Sequence, residues 1–117
     1  MTFDYFCNYC LAKKGVAETF PFNETTLVLK VGGKMFALAD VIEFNSINLK
    51  CDPERAVELR ESYMAIQPGY HMSKKHWNTV QLHSDVDDKL LMELIDHSYQ
   101  LVFESLPKKL QHEIEVG

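Results

Sequence analysis

The densest cluster of side chains that could carry chemistry lies between residues 68 and 78. It combines two lysines, two histidines, a tyrosine, an asparagine and the only tryptophan of the chain: Tyr70, His71, Lys74, Lys75, His76, Trp77 and Asn78. Lysines neutralise phosphates, aromatic rings stack on bases, and an asparagine hydrogen-bonds a base edge or a phosphate. On a loop, this segment predicts contact with an anion or a nucleic acid.

Two other interpretations of the same segment stay open. In an enzyme, His71 or His76 would serve as a general base, but no clear nucleophile, glycine-rich phosphate cradle or paired carboxylate accompanies them. In a purely structural role, Tyr70 and Trp77 would cap the core from a surface loop. We therefore predict no catalytic residues and no enzymatic activity.

The three cysteines predict neither a metal site nor a redox pair. Cys7 and Cys10 have C-x-x-C spacing but lie within a predicted helix with no strand before it, unlike a thioredoxin-like pair. A structural zinc site needs four ligands, and only Cys51 and scattered histidines remain. The cysteines are expected to belong to the core, with no metal and no cofactor.

Composition also bears on the compartment and on membranes. An odd, sparse set of three cysteines suits a reducing cytoplasm. No apolar run approaches the roughly 18 residues of a bilayer span, and no secretory signal precedes the first helix. We expect one domain over residues 1–117, cytoplasmic and monomeric, without a membrane partner.

The net charge of −5 is unevenly distributed along the chain. Residues 85–104 hold six acids and one base, whereas residues 63–84 hold no acid but include Lys74 and Lys75. A net-acidic protein can still present a locally basic face. The alternative is an acidic, solvated helix surface without functional meaning.

The elements that must position these side chains begin with three helices. Helices are predicted over about residues 3–14, capped by Thr2 with Gly15 at the C′ position, and over 52–61, started by Asp52 and Pro53. A third helix is predicted from a cap at Asp85 to about residue 105. The polar tail from about residue 108 is expected to fray.

Strands are predicted over residues 25–31, 34–39, 46–51 and 77–82. Gly32 and Gly33 join the first two strands as a hairpin turn, not as a phosphate-binding loop, because they lack the required spacing and precede a strand. The order of helix, three strands, helix, one or two strands and helix predicts an α+β, two-layer domain: an antiparallel sheet with its helices on one face. The other face meets water or a ligand, and its candidate side chains are Lys30, Asn48, Lys50, Thr79 and Gln81.

Five segments together resemble the MmcQ/YjbR family of small bacterial proteins, and a sixth also fits the C-terminal end of that family. They are residues 20–22 (FPF), 31–38 (VGGKMFAL), 47–54 (INLKCDPE), 68–80 (PGYHMSKKHWNTV), 95–99 (IDHSY) and 105–109 (SLPKK). The resemblance implies a CyaY-like or secretion-chaperone-like two-layer fold. It also implies DNA binding, because the hairpin arrangement of the family is similar to a double-wing motif of a phage transcription activator.

The leading hypothesis is therefore DNA binding through the face that bears the hairpins. Lys34, Lys50, Lys74 and Lys75 would neutralise phosphates, while Tyr70, His71, His76, Trp77 and Asn78 would lie at the contact surface. Four phosphate contacts predict a slope of about −4 for log K against log salt, hence weak, salt-sensitive binding. The rival is a protein-interaction or small-ligand-binding module that uses the same exposed sheet face without catalysis.

Overall fold

The computed structural model describes residues 1–69 and 72–117. Their helices are α1 (Phe3–Leu11), α2 (Pro53–Ser62), α3 (Asp88–Glu104) and α4 (Lys108–Val116). Their strands are β1 (Val16–Thr19), β2 (Thr26–Val31), β3 (Lys34–Asp40), β4 (Ser46–Lys50), β5 (Ile66–Pro68) and β6 (Trp77–Gln81). Among these described elements, no helix is long and apolar enough to span a membrane.

The strands form one antiparallel sheet in the order β1-β2-β3-β4-β6-β5. Gly32 and Gly33 turn the chain from β2 into β3 with φ of +59° and +82°, as the hairpin prediction requires. A β-bulge at Leu29/Lys30 shifts the register, so that both Phe36 and Ala37 reach the main core. The predicted fold class, an α+β domain with an antiparallel sheet, is confirmed.

The helices cover one face of this sheet. The main core joins the inward side of the strands to α1, α2 and α3, and Phe6, Phe36, Ile47 and Ile95 are fully buried within it. A second, smaller apolar cluster of Val28, Leu38 and Trp77 lies on the opposite side of the sheet. This second side is here called the open face, because none of the buried apolar helix residues belongs to its cluster.

The helix starts follow capping chemistry, with one correction. The predicted caps Thr2 and Asp52 accept hydrogen bonds from the first turns of α1 and α2. Asp85 does not cap α3, because Asp87 accepts the backbone N–H of Leu90 instead. The carboxylate of Asp85 accepts the N–H groups of residues 64 and 65, which tie the segment after α2 to the start of α3.

Two elements were absent from the predicted order, and α1 ends early. The prediction omitted β1, an edge strand of four residues, and expected a frayed tail where α4 forms. Helix α4 packs Leu110 and Ile114 against the core and buries Gln111. Gly15 is not the C′ residue of α1, which ends at Leu11. At Gly15, φ is +75°, and a Cβ would lie 2.8 Å from Cγ2 of Ile114.

Candidate functional site

The alternation of side chains along the strands defines the open face residue by residue. Cross-strand partners share a face, and one continuous row of pairs crosses all six strands. This row is Thr19, Val28, Leu38, Asn48, Thr79 and Gln67. The predicted positions of Asn48 and Thr79 on the exposed face are confirmed, and Gln81 lies on the same face opposite Ser46.

The register assigns two lysines to the open face, near one end of the strands. Lys30 pairs with Met35, and Lys50 pairs with Trp77. Lys30 lies on β2 and Lys50 on β4, so that β3 separates the two strands that carry them. The backbone N–H of Lys50 donates to Oγ of Ser98, a buried residue of α3, which fixes the end of β4.

Lys34 lies apart from this pair of lysines. It is exposed at the hairpin tip and pairs with Val31, a core residue, so the register directs it to the helix side of the sheet. A Cβ at Gly32 would lie 2.5 Å from Cδ1 of Leu106, which places the tip against the segment between α3 and α4. The expected convergence of Lys34 with Lys50 on one face is therefore wrong.

Lys74, Lys75 and His76 form an exposed turn that leads into β6. The backbone holds this turn, because the N–H of Trp77 donates to the carbonyl of Ser73 and the carbonyl of His76 accepts the N–H of residue 51. This turn therefore presents Lys74, Lys75 and His76 to solvent as predicted.

Arg60 of α2 clamps the same turn, a role that the sequence-based interpretation missed. Its Nε donates to Oδ1 of Asn78 over 2.6 Å, and its Nη2 donates to the carbonyls of Lys74 and Trp77. Lys75 also borders a surface groove with Glu54 and Glu58 of α2. The lysine turn consequently has acidic neighbours on its helix side.

Two predicted contact residues are buried. Trp77 is 7% exposed and packs with Val28 and Leu38, so its ring offers no free face for stacking. Asn78 is 2% exposed, and its amide is used by Arg60 and by the carbonyl of Ala56. Asn78 alternates with Trp77 along β6 and therefore points to the helix side. Two further predicted residues, Tyr70 and His71, lie outside the described residues.

The open face also carries a cavity of about 420 Å³, at the end of the strands away from Lys30 and Lys50. Its lining combines apolar with amide, hydroxyl and carboxylate side chains: Phe22, Asn23, Thr26, Leu38, Ala39, Asp40, Ser46, Asn48 and Met72. This volume falls within the range of about 300–1,000 Å³ that is typical of small-molecule sites. The period-2 alternation of β3 and β4 could have indicated the strand part of this cavity, since it places Leu38, Asp40, Ser46 and Asn48 on one face.

The thiols of α1 behave as core groups. Burial raises the pKa of Cys10 to about 12, and burial followed by the nearby carboxylate of Glu18 raises the pKa of Cys7. Both thiols are therefore protonated and weakly nucleophilic at neutral pH. Across residues 1–69 and 72–117, no group of three or more potential metal ligands was found.

The charges are segregated between the two sides of the sheet. Six of the acids lie on α3 or the segment leading into it, and α2 carries Glu54, Glu58 and Glu61, all on the helix side. On the open face, the register assigns Lys30 and Lys50 to one end and Asp40 to the other. The chain as a whole is acidic, whereas one end of its open face is basic.

The chain is similar in sequence to known proteins along most of its length. A profile of the YjbR family matches residues 11–101. The chain is 38% identical to YbdF of Escherichia coli O157:H7 over 84% of its length and 81% of that protein. It is 32% identical to YjbR of Escherichia coli K12 over 93% of both.

A solved structure extends the likeness to almost the whole chain. The crystal structure of the Deinococcus radiodurans protein DR2400, a DUF419 domain, superimposes with a TM-score of 0.92 at 41% identity. The match covers 97% of this chain and 88% of that one. The family profile, the two relatives and this structure lead to one conclusion: the chain belongs to the YjbR family, the MmcQ/YjbR family.

Proposed function

We propose that the protein binds DNA, with phosphates contacting the basic end of the open face and the adjoining lysine turn. The segregation of charge supports this proposal, since the acids of α2 and α3 lie behind the sheet while Lys30 and Lys50 project from its front. A phosphate backbone approaching the front therefore meets cations first. The proposal involves no catalysis.

The lysines that carry this proposal differ in part from those that the sequence alone indicated. Lys50, Lys74 and Lys75 are retained, Lys34 is replaced by Lys30, and the contacts expected from Trp77 and Asn78 are withdrawn. The set still contains four cations, so a slope of about −4 for log K against log salt is expected on duplex DNA. Binding should accordingly be strong enough to measure at low salt and weak at physiological salt.

Salt-dependent fluorescence anisotropy with a labelled duplex tests this proposal. We expect the double variants Lys30→Ala/Lys50→Ala and Lys74→Ala/Lys75→Ala to reduce the slope by about two units each. The matched control is Lys108→Ala/Lys109→Ala, which removes the same charge from exposed positions on α4. Absence of binding at low salt, or equal losses in all three variants, would contradict a defined site.

A protein-interaction or small-ligand-binding module is the second candidate, and the cavity of about 420 Å³ on the open face favours it. Its partly apolar lining, with Phe22, Leu38 and Met72, predicts binding that persists at high salt. Pull-down of a partner that survives high salt, without any salt-dependent DNA binding, would favour this candidate over the first.

A further inference from the structure

We infer that the cavity on the open face receives one unstacked nucleobase, whose adjoining phosphate lies at Lys50. The ligand chemistry is a base that carries a phosphate, presented by single-stranded nucleic acid or by a free nucleotide. This inference rests on the proposed function and deepens it, because it assigns the basic end of the sheet to phosphate and the cavity to a base.

The charges at the two ends of the open face orient such a ligand. Asp40 lines the cavity, and its Oδ1 is held by the N–H groups of Ile42 and Glu43 at 2.8 and 2.9 Å. A carboxylate at this end repels phosphate but accepts hydrogen bonds from the exocyclic amine or ring N–H of a base. The lysines at the other end attract the phosphate, so only one orientation satisfies both ends.

The spacing along β4 matches one nucleotide. Asn48 lines the cavity, and Lys50 follows it two residues later on the same face, about 7 Å along the strand. A base above Asn48 and its phosphate at Lys50 therefore require no long reach of either side chain. Lys30, which the register of β2 also assigns to the open face, is available to the next phosphate.

The cavity supplies hydrogen-bonding groups for a base edge. Asn48 lines the cavity, and its Oδ1 accepts the hydroxyl of Thr79 at 2.5 Å, which leaves its Nδ2 amide as a donor. Oδ1 of Asn23 accepts the N–H groups of Thr25 and Thr26, which likewise leaves its Nδ2. Amide donors together with the Asp40 carboxylate complement the mixed donor and acceptor edge of a nucleobase.

An aromatic ring at the rim provides the stacking surface. Phe22 lines the cavity and is 64% exposed, and the neighbouring Asn23 holds its loop through the two backbone N–H groups. Stacking of a base on an aromatic ring contributes about 1–3 kcal/mol and tolerates any base. Within a duplex the faces of a base are covered, so the ring and the cavity are accessible only to an unpaired base.

Fluorescence anisotropy at low salt tests this inference with three labelled ligands: a single strand of ten thymidines, the same strand with abasic positions, and a duplex of equal length. A fourth measurement uses unlabelled thymidine monophosphate as a competitor of the labelled single strand. We expect the single strand to bind about ten-fold more tightly than the abasic strand. Competition by the monophosphate at the affinity of the strand identifies a free nucleotide as the source, and much weaker competition identifies the strand.

A matched pair of variants locates the base. Phe22→Ala should lower single-strand affinity about ten-fold and leave duplex binding unchanged, whereas Phe20→Ala, 47% exposed in the same segment but not lining the cavity, should change neither. Equal binding of normal and abasic strands overturns the base site even where phosphate binding, and with it the proposed function, survives. Absence of binding to every probe overturns both.

Discussion

The contact between Arg60 and Asn78 is predicted to be the main support of the lysine turn. Arg60→Ala removes the donor at 2.6 Å from Oδ1 of Asn78, a side chain that is 2% exposed, and also frees the carbonyls of Lys74 and Trp77. A buried acceptor that loses its partner costs about 1–3 kcal/mol, and hydrogen bonds to charged groups contribute about 1.5–3 kcal/mol. The carbonyl of Lys74 lies in an exposed turn, where water replaces the lost donor.

The expected loss in free energy of unfolding for Arg60→Ala is therefore about 2–3 kcal/mol. For a domain of this size that corresponds to roughly 4 °C in Tm for each kcal/mol. Arg60→Lys should recover part of the loss, since an ammonium group reaches one of the acceptors but does not reproduce the guanidinium fork. The matched control is Arg55→Ala, which removes the other arginine of α2 and should cost less than about 0.5 kcal/mol.

Urea unfolding of these variants, with Asn78→Ala and the double variant, measures the contact as a double-mutant cycle. We expect a coupling free energy between Arg60 and Asn78 of about 1 kcal/mol or more, and faster amide hydrogen exchange at His76 and Trp77, whose N–H groups donate to Ser73, in Arg60→Ala. If Arg60→Ala destabilised no more than Arg55→Ala, or the coupling were zero, the clamp would not support the turn.

Two further predictions concern pH and the hairpin. Burial lowers the pKa of His97, whose Nε2 accepts the N–H of Asp52. As the pH decreases, the unfolded chain therefore binds a proton at His97 before the folded chain does. The contribution of His97 to stability is complete above about pH 6.5 and falls as the pH decreases below that value. Wild type should therefore lose more free energy of unfolding than His97→Gln between pH 7 and 5, and equal losses would contradict this assignment. At the hairpin, both glycines have positive φ, but a Cβ at Gly32 would lie 2.5 Å from Leu106 while one at Gly33 meets open space. In thermal unfolding, Gly33→Ala should lower the free energy of unfolding by about 1 kcal/mol, and Gly32→Ala should lower it by clearly more. A larger loss in Gly33→Ala than in Gly32→Ala would refute the packing of the hairpin tip against Leu106.

Local chemistry accounts for the elements that were predicted correctly. Thr2 and Asp52 cap their helices through hydrogen bonds within the first turn, and Gly32 and Gly33 adopt the positive φ that a two-residue hairpin requires. Each of these features depends on residues a few positions apart. The sequence therefore specifies them without knowledge of the tertiary structure.

The elements that were missed depend on distant partners. Strand β1 has four residues and exists through its pairing with β2. Helix α4 is polar except for Leu110, Ile114 and the exposed Val116, and the i, i+4 spacing of Leu110 and Ile114 was its only signal. The choice between two acids as the cap of α3 was also non-local. Asp85 is engaged by backbone groups about twenty residues earlier in the chain, which leaves Asp87 to cap the helix.

The error at Asn78 could have been avoided from the sequence. A strand over residues 77–82 whose Thr79 and Gln81 face outward must turn Asn78 inward with Val80, and the structure places Asn78 against α2. Residue type had indicated a contact surface, but strand periodicity decided the orientation. Lys34 is a similar case, because its pairing with the core residue Val31 directs it away from Lys50.

Net charge and residue type are thus weaker guides to a binding face than the position of each charge in the sheet. The acids outnumber the bases by five, yet pairing with Met35 and Trp77 brings Lys30 and Lys50 to the side that no helix covers. The single open-face acid that lines the cavity, Asp40, lies at the far end of the strands. A ligand with one anionic end and one flat, hydrogen-bonding end satisfies both ends of this face. A uniformly anionic duplex satisfies only one of them, so single strands and duplexes should differ at this surface even where both bind.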